Sequence, residues 1–368
     1  MRTLTFAQAL GEAMAEELRR DPTVVLWGID IGPYGGAFGV TQGLQAEFGP
    51  ERVIDMPVSE AGYTGAGVGA AATGLRPVIE LQFSDWITIA SDQLINQAAN
   101  MRYMFGGLIS VPMVLRAPVG GYTSAAAQHT HMFESIFSFV AGLKVVLPST
   151  PYDAKGLLKS AIRDNNPVIF FEHNQLYATE GEVPEEEYTI PLGKADVKRA
   201  GSDVTLVTYS YMVSKALAAA EELAREGIDV EVVDLRTVDP IDEEAIVASI
   251  KKTHRLVVVQ ETWRNCSVST EVAAIAAEKA LDYHDEPVLL VEAGEHQDAL
   301  APAAAYRAVK ASHRHRGGPA RQRNGRREVA RPRPREREPR GLPARDVGDG
   351  PRRHGLHTHR RRRGTGEG

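Results

Sequence analysis

A single cysteine, Cys266, occurs in the 368 residues. An internal disulfide is therefore excluded, and a reducing compartment is expected. The chain also lacks an apolar run of membrane-spanning length, the apolar core of a secretion signal and an Arg/Ser-rich transit segment. Its start passes directly into a helical pattern, so a bacterial-type cytoplasmic protein with no membrane partner is expected. Basic residues are scarce in the body of the chain. Residues 307–368 hold 20 of the 42 Lys+Arg and 6 of the 48 Asp+Glu, so the net charge of −6 divides into an acidic body of −20 and a basic tail of +14. Such an asymmetry asks for an explanation.

The remaining length is enough for two ordinary α/β domains. Short apolar, β-branched runs at 24–27, 77–81, 112–115, 144–147 and 168–171 predict strands. Helical patterns fall near 6–19, 60–73, 87–104 and 152–162. Apolar strands alternating with helices predict a mostly parallel sheet covered on both faces. The acidic segment 178–193, with two prolines and no period, reads as an inter-domain linker. A second unit follows, with strands expected at 204–208, 230–233, 256–260 and 288–291 and helices at 213–225, 242–252 and 267–281. The expected organisation is thus two doubly wound α/β domains, 1–177 and 194–306, followed by a disordered tail over 307–368. In the tail, Arg, Pro, Gly and His replace almost every apolar residue, and the apolar surface needed to offset ordering entropy is missing.

The most informative run is Pro57-Val58-Ser59-Glu60-Ala61-Gly62-Tyr63-Thr64-Gly65-Ala66-Gly67-Val68-Gly69. Glu60 opens a helix built almost entirely of small residues, where the helix dipole favours a carboxylate and a backbone or ligand can approach closely. A structural charge on a tightly packed helix is the alternative reading. Next come Arg76-Pro77-Val78-Ile79-Glu80-Leu81-Gln82-Phe83-Ser84-Asp85-Trp86, then Met101-Arg102-Tyr103-Met104-Phe105-Gly106-Gly107, Gln128-His129, Asp164-Asn165-Asn166-Pro167 and Val233-Asp234-Leu235-Arg236-Thr237. As ordered blocks from about residue 4 to 291, these resemble the beta subunits of the decarboxylating component of 2-oxo acid dehydrogenase complexes. Those belong to the transketolase-like group, and the likeness is to the pyruvate and acetoin types.

The resemblance implies thiamin diphosphate as cofactor and a 2-oxo acid as substrate, with the acyl group passed to lipoamide. It implies a transketolase-like pyrimidine-binding domain followed by a transketolase C-terminal-like domain. Glu60 matches the glutamate that bonds a ring nitrogen of the aminopyrimidine. Trp86 matches an aromatic position packed on that ring, with ordinary core packing as the alternative. His129 matches a histidine facing the reacting centre, and a histidine can shuttle protons during acyl transfer. His131 stands where the family more often has glutamine; solvation alone would account for it. Met113, Ala161, Ile162, Asp164 and Asn166 match positions that hold a structural potassium ion, and a helix-ending turn accounts for 164–167 equally well. Ile29 departs from the family's glutamate, which puts any acidic proton relay between active sites in doubt.

The Gly-Asp-Gly segment and later asparagine with which relatives hold the diphosphate and Mg²⁺ have no matching pair here. The resemblance therefore implies an alpha subunit that holds that half of the cofactor and the Mg²⁺, in an alpha2beta2 heterotetramer that serves a lipoyl-bearing acyltransferase. The purified chain alone is expected to be inactive. A one-base shift over 295–299 would read Ser-Thr-Lys-Thr-Pro, closer to the family, so everything after about 291 is read as a frameshift product; if the shift is real, the family's closing helix is lost. The rival, a basic arm for nucleic acid, lacks interleaved aromatics. A non-catalytic transketolase-like module is the competing class of function, and it would have no use for Glu60 and His129.

Overall fold

The computed structural model describes residues 1–121, 125–292 and 302–314. Its helices and strands, in chain order, are β1 (Arg2–Thr5), α1 (Phe6–Arg20), β2 (Val24–Gly28), α2 (Leu44–Phe48), β3 (Val53–Asp55), α3 (Glu60–Ala72), β4 (Arg76–Glu80), α4 (Ile87–Asp92), α5 (Ala99–Met104), β5 (Val114–Val119), α6 (Glu134–Ser138), β6 (Lys144–Val146), α7 (Pro151–Arg163), β7 (Val168–His173), β8 (Glu180–Val183), β9 (Asp196–Arg199), β10 (Val204–Thr208), α8 (Met212–Arg225), β11 (Val230–Asp234), β12 (Thr237–Asp239), α9 (Glu243–Thr253), β13 (Leu256–Val259), α10 (Val268–Lys279), β14 (Leu289–Val291) and α11 (Pro302–Arg314).

Two sheets organise these elements. The first has the order β12-β6-β7-β5-β4-β2-β3 and the second β14-β13-β10-β11-β9. Within the first, every pairing is parallel except β12 with β6; within the second, every pairing is parallel except β11 with β9. β2, β5, β7, β10, β11 and β13 are buried along their whole length, as sheets covered on both faces require. The helices follow local chemistry. Thr5 and Gln8 form a reciprocal capping box at the start of α1, and Phe6, Leu10, Met14 and Leu18 face inward at four-residue spacing. Thr150 caps α7, whose first residue is Pro151.

Four features depart from the expected pattern. The helix expected over 87–104 is interrupted by a π-helical turn from Gln93 to Ala98, and such turns cluster at functional sites. The segment read as a linker contains β8, which pairs antiparallel with β1 and so closes the start of the chain onto the end of the first domain. β12 follows the second domain's β11 yet pairs with β6, lending an antiparallel edge to the first sheet. The loss of the closing helix is also overturned. α11 packs on α8, and Ala305 and Val309 enter the same core as Val204, Leu206 and Leu223. Ala305, Val309 and Ser312 are buried at helical spacing, which was the signal available in Ala303-Ala304-Ala305-Tyr306. Burial of Val309 alone contributes roughly 1.5–3 kcal/mol. The disorder expected from residue 307 is thus wrong for 307–314, and residues 315–368 lie outside the described residues.

Candidate active site

Glu60 is the first residue of α3. It is only 8% exposed, and among the described residues its carboxylate has no hydrogen-bond or ion-pair partner. The small residues of α3 have a packing role. A Cβ on Gly67 would fall 2.3 Å from Ile79 Cδ1 of β4, and one on Gly65 would fall 2.8 Å from Gln93 Oε1 of the π turn. At 67 a larger residue would have to displace the buried Ile79, whereas at 65 the flexible end of Gln93 would have to move aside. The helix thereby carries Glu60 to the C-terminal ends of the first sheet's strands, the usual place for ligands in open α/β sheets.

Below it lies a buried charge network. Arg116 on β5 is 2% exposed. It donates to both oxygens of Glu172 on β7 at 2.6 and 2.8 Å and to Glu80 on β4 at 2.7 Å. Tyr177 also donates to Glu172, at 2.9 Å, and the Tyr63 hydroxyl donates to the Glu80 carbonyl at 3.3 Å. Burial, opposed by Arg116, holds the Glu80 carboxyl above the usual carboxylate range. Burial, reinforced by the charges of Glu60 and Glu80, pushes the Tyr63 phenol well above its ordinary value. One cation on β5 thus serves two carboxylates, one on each neighbouring strand. A charged residue inside an otherwise apolar strand was the sequence signal for each.

An aromatic wall stands beside this network. Phe83 packs edge-on against Trp86 at 5.4 Å and against His129 at 4.5 Å, and Trp86 lies 5.8 Å from His129. Phe38 joins Phe83 at 5.7 Å and stacks on Tyr177 at 5.1 Å. Two of the expected site residues, Trp86 and His129, are therefore in direct contact. Among the described residues no hydrogen bond or ring contact joins Glu60 to either. Phe83 is a member of the wall that the residue pattern alone had not singled out. His131 pairs through Nδ1 with Asp85 and stacks on Phe133 at 5.2 Å, so it is held in place as well as solvated. Ile29 is a buried core residue beside Tyr63 and supplies no carboxylate.

The five positions named for a cation meet at the other end of β5 and β7. The carbonyls of Ile162 and Asp164 both accept from Arg76 Nη1 at 3.0 Å. The Ala161 carbonyl accepts from the Asp164 N–H at 3.2 Å, and that of Met113 from the Val168 N–H at 2.9 Å. Lys144 pairs with the Asp164 carboxylate, whose other oxygen accepts from the Asn166 main chain and side chain at 2.8 and 2.9 Å. Two protein cations already serve this corner. Among the described residues no group of three or more His, Cys, Asp or Glu could hold a metal ion, and no helix is long and apolar enough to cross a membrane. A groove of about 470 Å³ along α1 is lined by none of the expected site residues.

Glu60, largely buried and without a protein partner, stands at the strand ends of a fold built from two α/β domains. Residues 2–180 match the transketolase pyrimidine-binding domain and residues 193–314 the transketolase C-terminal domain; the chain belongs to the transketolase family. Within it, the chain stands with dehydrogenase beta subunits. It is 48% identical over 304 residues to the acetoin:2,6-dichlorophenolindophenol oxidoreductase subunit beta of Bacillus subtilis (strain 168), covering 79% of this chain and 89% of the relative. It is 48% identical over 289 residues to that organism's 2-oxoisovalerate dehydrogenase subunit beta, covering 78% and 88%. The pyruvate dehydrogenase E1 component subunit beta of Rhizobium meliloti (strain 1021) is 47% identical over 292 residues, covering 79% and 64%. A split-gene transketolase solved as an inactive beta4 tetramer shares the fold, with a TM-score of 0.69 and 22% identity over 84% of this chain and 98% of that one.

Proposed function

We propose that the chain is the beta subunit of a thiamin-diphosphate-dependent 2-oxo acid dehydrogenase acting on pyruvate. The carrying observation is Glu60. The residue is only 8% exposed and the protein gives its carboxylate no partner, so the oxygens are left open for a ligand, and a ring nitrogen able to share a proton is a fitting one. Glu60 would hold the aminopyrimidine by that hydrogen bond, and Trp86 would pack on its face. The bound cofactor supplies the electron sink for the carbons it attacks. Glu60 fixes which nitrogen of the ring carries a proton, and the wall of Phe83, Trp86 and His129 excludes water on one side. His129, in contact with Trp86, would move a proton when the acyl group leaves for lipoamide.

The diphosphate and Mg²⁺ belong to an alpha subunit, so the working unit is an alpha2beta2 assembly in the cytoplasm, served by a lipoyl-bearing acyltransferase. A structural K⁺ at Met113, Ala161, Ile162, Asp164 and Asn166 is part of the same reading. It would use only the lone pairs that Arg76, Lys144 and the backbone donors leave free. Co-expression with the alpha partner tests the function: CO₂ release from pyruvate supports it. The acetoin reading is favoured by two relatives of that name at 48% and 50% identity. It predicts acetaldehyde from acetoin with no CO₂. Turnover of neither substrate by the assembly sinks both readings.

A further inference from the structure

We propose that Glu261 and Thr262, adjacent residues of the second domain, are positioning residues that fix the two ends of the loop carrying His129. The effect on turnover rests on the function proposed above; the placement of the loop does not.

The loop leaves β5 at Gly120. This residue has φ +96°, and a Cβ on it would fall 2.0 Å from His173 Nε2, so only glycine fits. The Gly120 carbonyl accepts from Asn174 Nδ2 at 3.1 Å. The next residue, Gly121, donates its N–H to Glu261 Oε1 at 2.6 Å. The other oxygen of Glu261 faces His173 Nε2 at 2.8 Å. Because the Gln175 N–H donates to His173 Nδ1 at 3.1 Å, Nδ1 is the acceptor, and Nε2 carries the proton given to Glu261. His173 is fully buried and stacks on Tyr211 of the second domain at 4.7 Å.

The far end of the loop is held from the same place. Glu134, the first residue of α6 and fully buried, accepts on Oε1 from the Tyr209 hydroxyl at 2.7 Å and from Thr262 Oγ1 at 3.1 Å. Its second oxygen has no partner, so these two donors are what compensates a buried carboxylate. Between the two ends, His129 meets Phe83 and Trp86, and His131 meets Asp85. The sheets are joined by other contacts. β12 pairs with β6, Arg236 and Lys198 grip Asp153, and Ser149 bonds Asp234. Glu261 and Thr262 can therefore be weakened without parting the domains.

The test uses the beta chain assembled with its alpha partner, carrying Glu261→Ala, Glu261→Gln or Thr262→Val. In Glu261→Ala, amide hydrogens at 125–133 are expected to exchange at least about tenfold faster, while those of β6 and β12 stay within about twofold. For the same variant, kcat falls by a similar factor with KM for pyruvate nearly unchanged, since the loop is misplaced rather than the substrate lost. Glu261→Gln keeps one acceptor and falls between. Thr262→Val loosens the 130–134 end alone. These two milder variants decide the matter if Glu261→Ala does not assemble. Loop exchange that is unchanged, or that rises in step with β6 and β12, overturns the proposal. A loosened loop in an assembly whose parent turns over neither pyruvate nor acetoin leaves the clamp standing and removes the proposed function instead.

Discussion

The two parallel sheets end differently. At the C-terminal edge of the first, β4, β5 and β7 bury full charges, with Arg116 between Glu80 and Glu172, and Glu60 lies above them without a protein partner. At the same edge of the second, β10 and β13 end in neutral groups. Thr208 bonds the Val259 carbonyl, and Gln260 bonds the Trp263 carbonyl and the Ser269 N–H. The second domain's charged residues, Glu261 and Arg236, reach across to the first instead. One edge leaves a largely buried carboxylate without a protein partner, and the other sends its charges across to the first. Each can be broken separately.

The largest effect is expected at the first edge. In the alpha–beta assembly, Glu60→Gln should lower turnover by about 10²–10⁴-fold, the range of a lost acid–base group, with the melting temperature unchanged because the carboxylate has no protein partner to lose. Steady-state kinetics beside calorimetry checks both halves, and a lower melting temperature with intact turnover would make Glu60 structural. Arg116→Met should cost roughly 3–5 kcal/mol, because it leaves two buried carboxylates facing each other. Combining it with Glu80→Gln and Glu172→Gln should recover most of that in urea denaturation. Recovery would show that the network stores charge rather than stability.

The histidines sharpen the comparison further. His129→Ala should slow acyl transfer to lipoamide about 10²-fold and leave turnover with a dye acceptor within about threefold, as befits a proton shuttle confined to that step. His131→Gln should change either assay by less than about threefold, because the Asp85 pair orients an exposed ring and removes no group from the aromatic wall. Equal losses at both positions would mean that the loop, and not the imidazole of His129, is what matters.

Much of this was legible beforehand because it is written in local pattern. β10 was expected over its observed span, 204–208, and α3 to within a residue, since apolar runs and a small-residue helix announce themselves. Glu60, Trp86 and His129 were singled out through ordered blocks of resemblance, and the structure brings the rings of Trp86 and His129 together. What escaped depends on partners far along the chain. β12 is three residues whose strand character exists only against β6. Phe83 gains meaning only when the loop of His129 folds over it. Glu261 looks like any loop carboxylate until Gly121, 140 residues earlier, donates to it. The closing helix escaped for another reason. Composition was weighed over the whole tail, and the averaging hid the helical spacing of Ala305 and Val309.

The smallest effect tests the second edge through pH. Asp234, fully buried at the end of β11, has its carboxyl pushed up to about 6 by burial and by the neighbouring charge of Asp153. Asp153 itself is held below the usual carboxylate range, since Lys198 and Arg236 outweigh its burial. The signs are opposite. A raised pKa means that the folded state favours the proton on Asp234, so its contribution is complete below the ordinary value of 3.8 and is lost as pH rises through about 6. For Asp153 the contribution is present above the ordinary value and is lost as pH falls below it. Asp234→Asn keeps Oδ1 as the acceptor for the Arg236 N–H, and its amide can donate to Ser149 Oγ, which keeps Asp153 as its own acceptor, so the ionisation is the main thing removed. It should therefore stabilise the protein at pH 8 by on the order of 1 kcal/mol, with the gain vanishing near pH 4. Thermal melts of parent and variant across that range decide it. A variant destabilised equally at every pH would show that Lys198 needs the Asp234 charge and that the second edge, like the first, depends on full ion pairs.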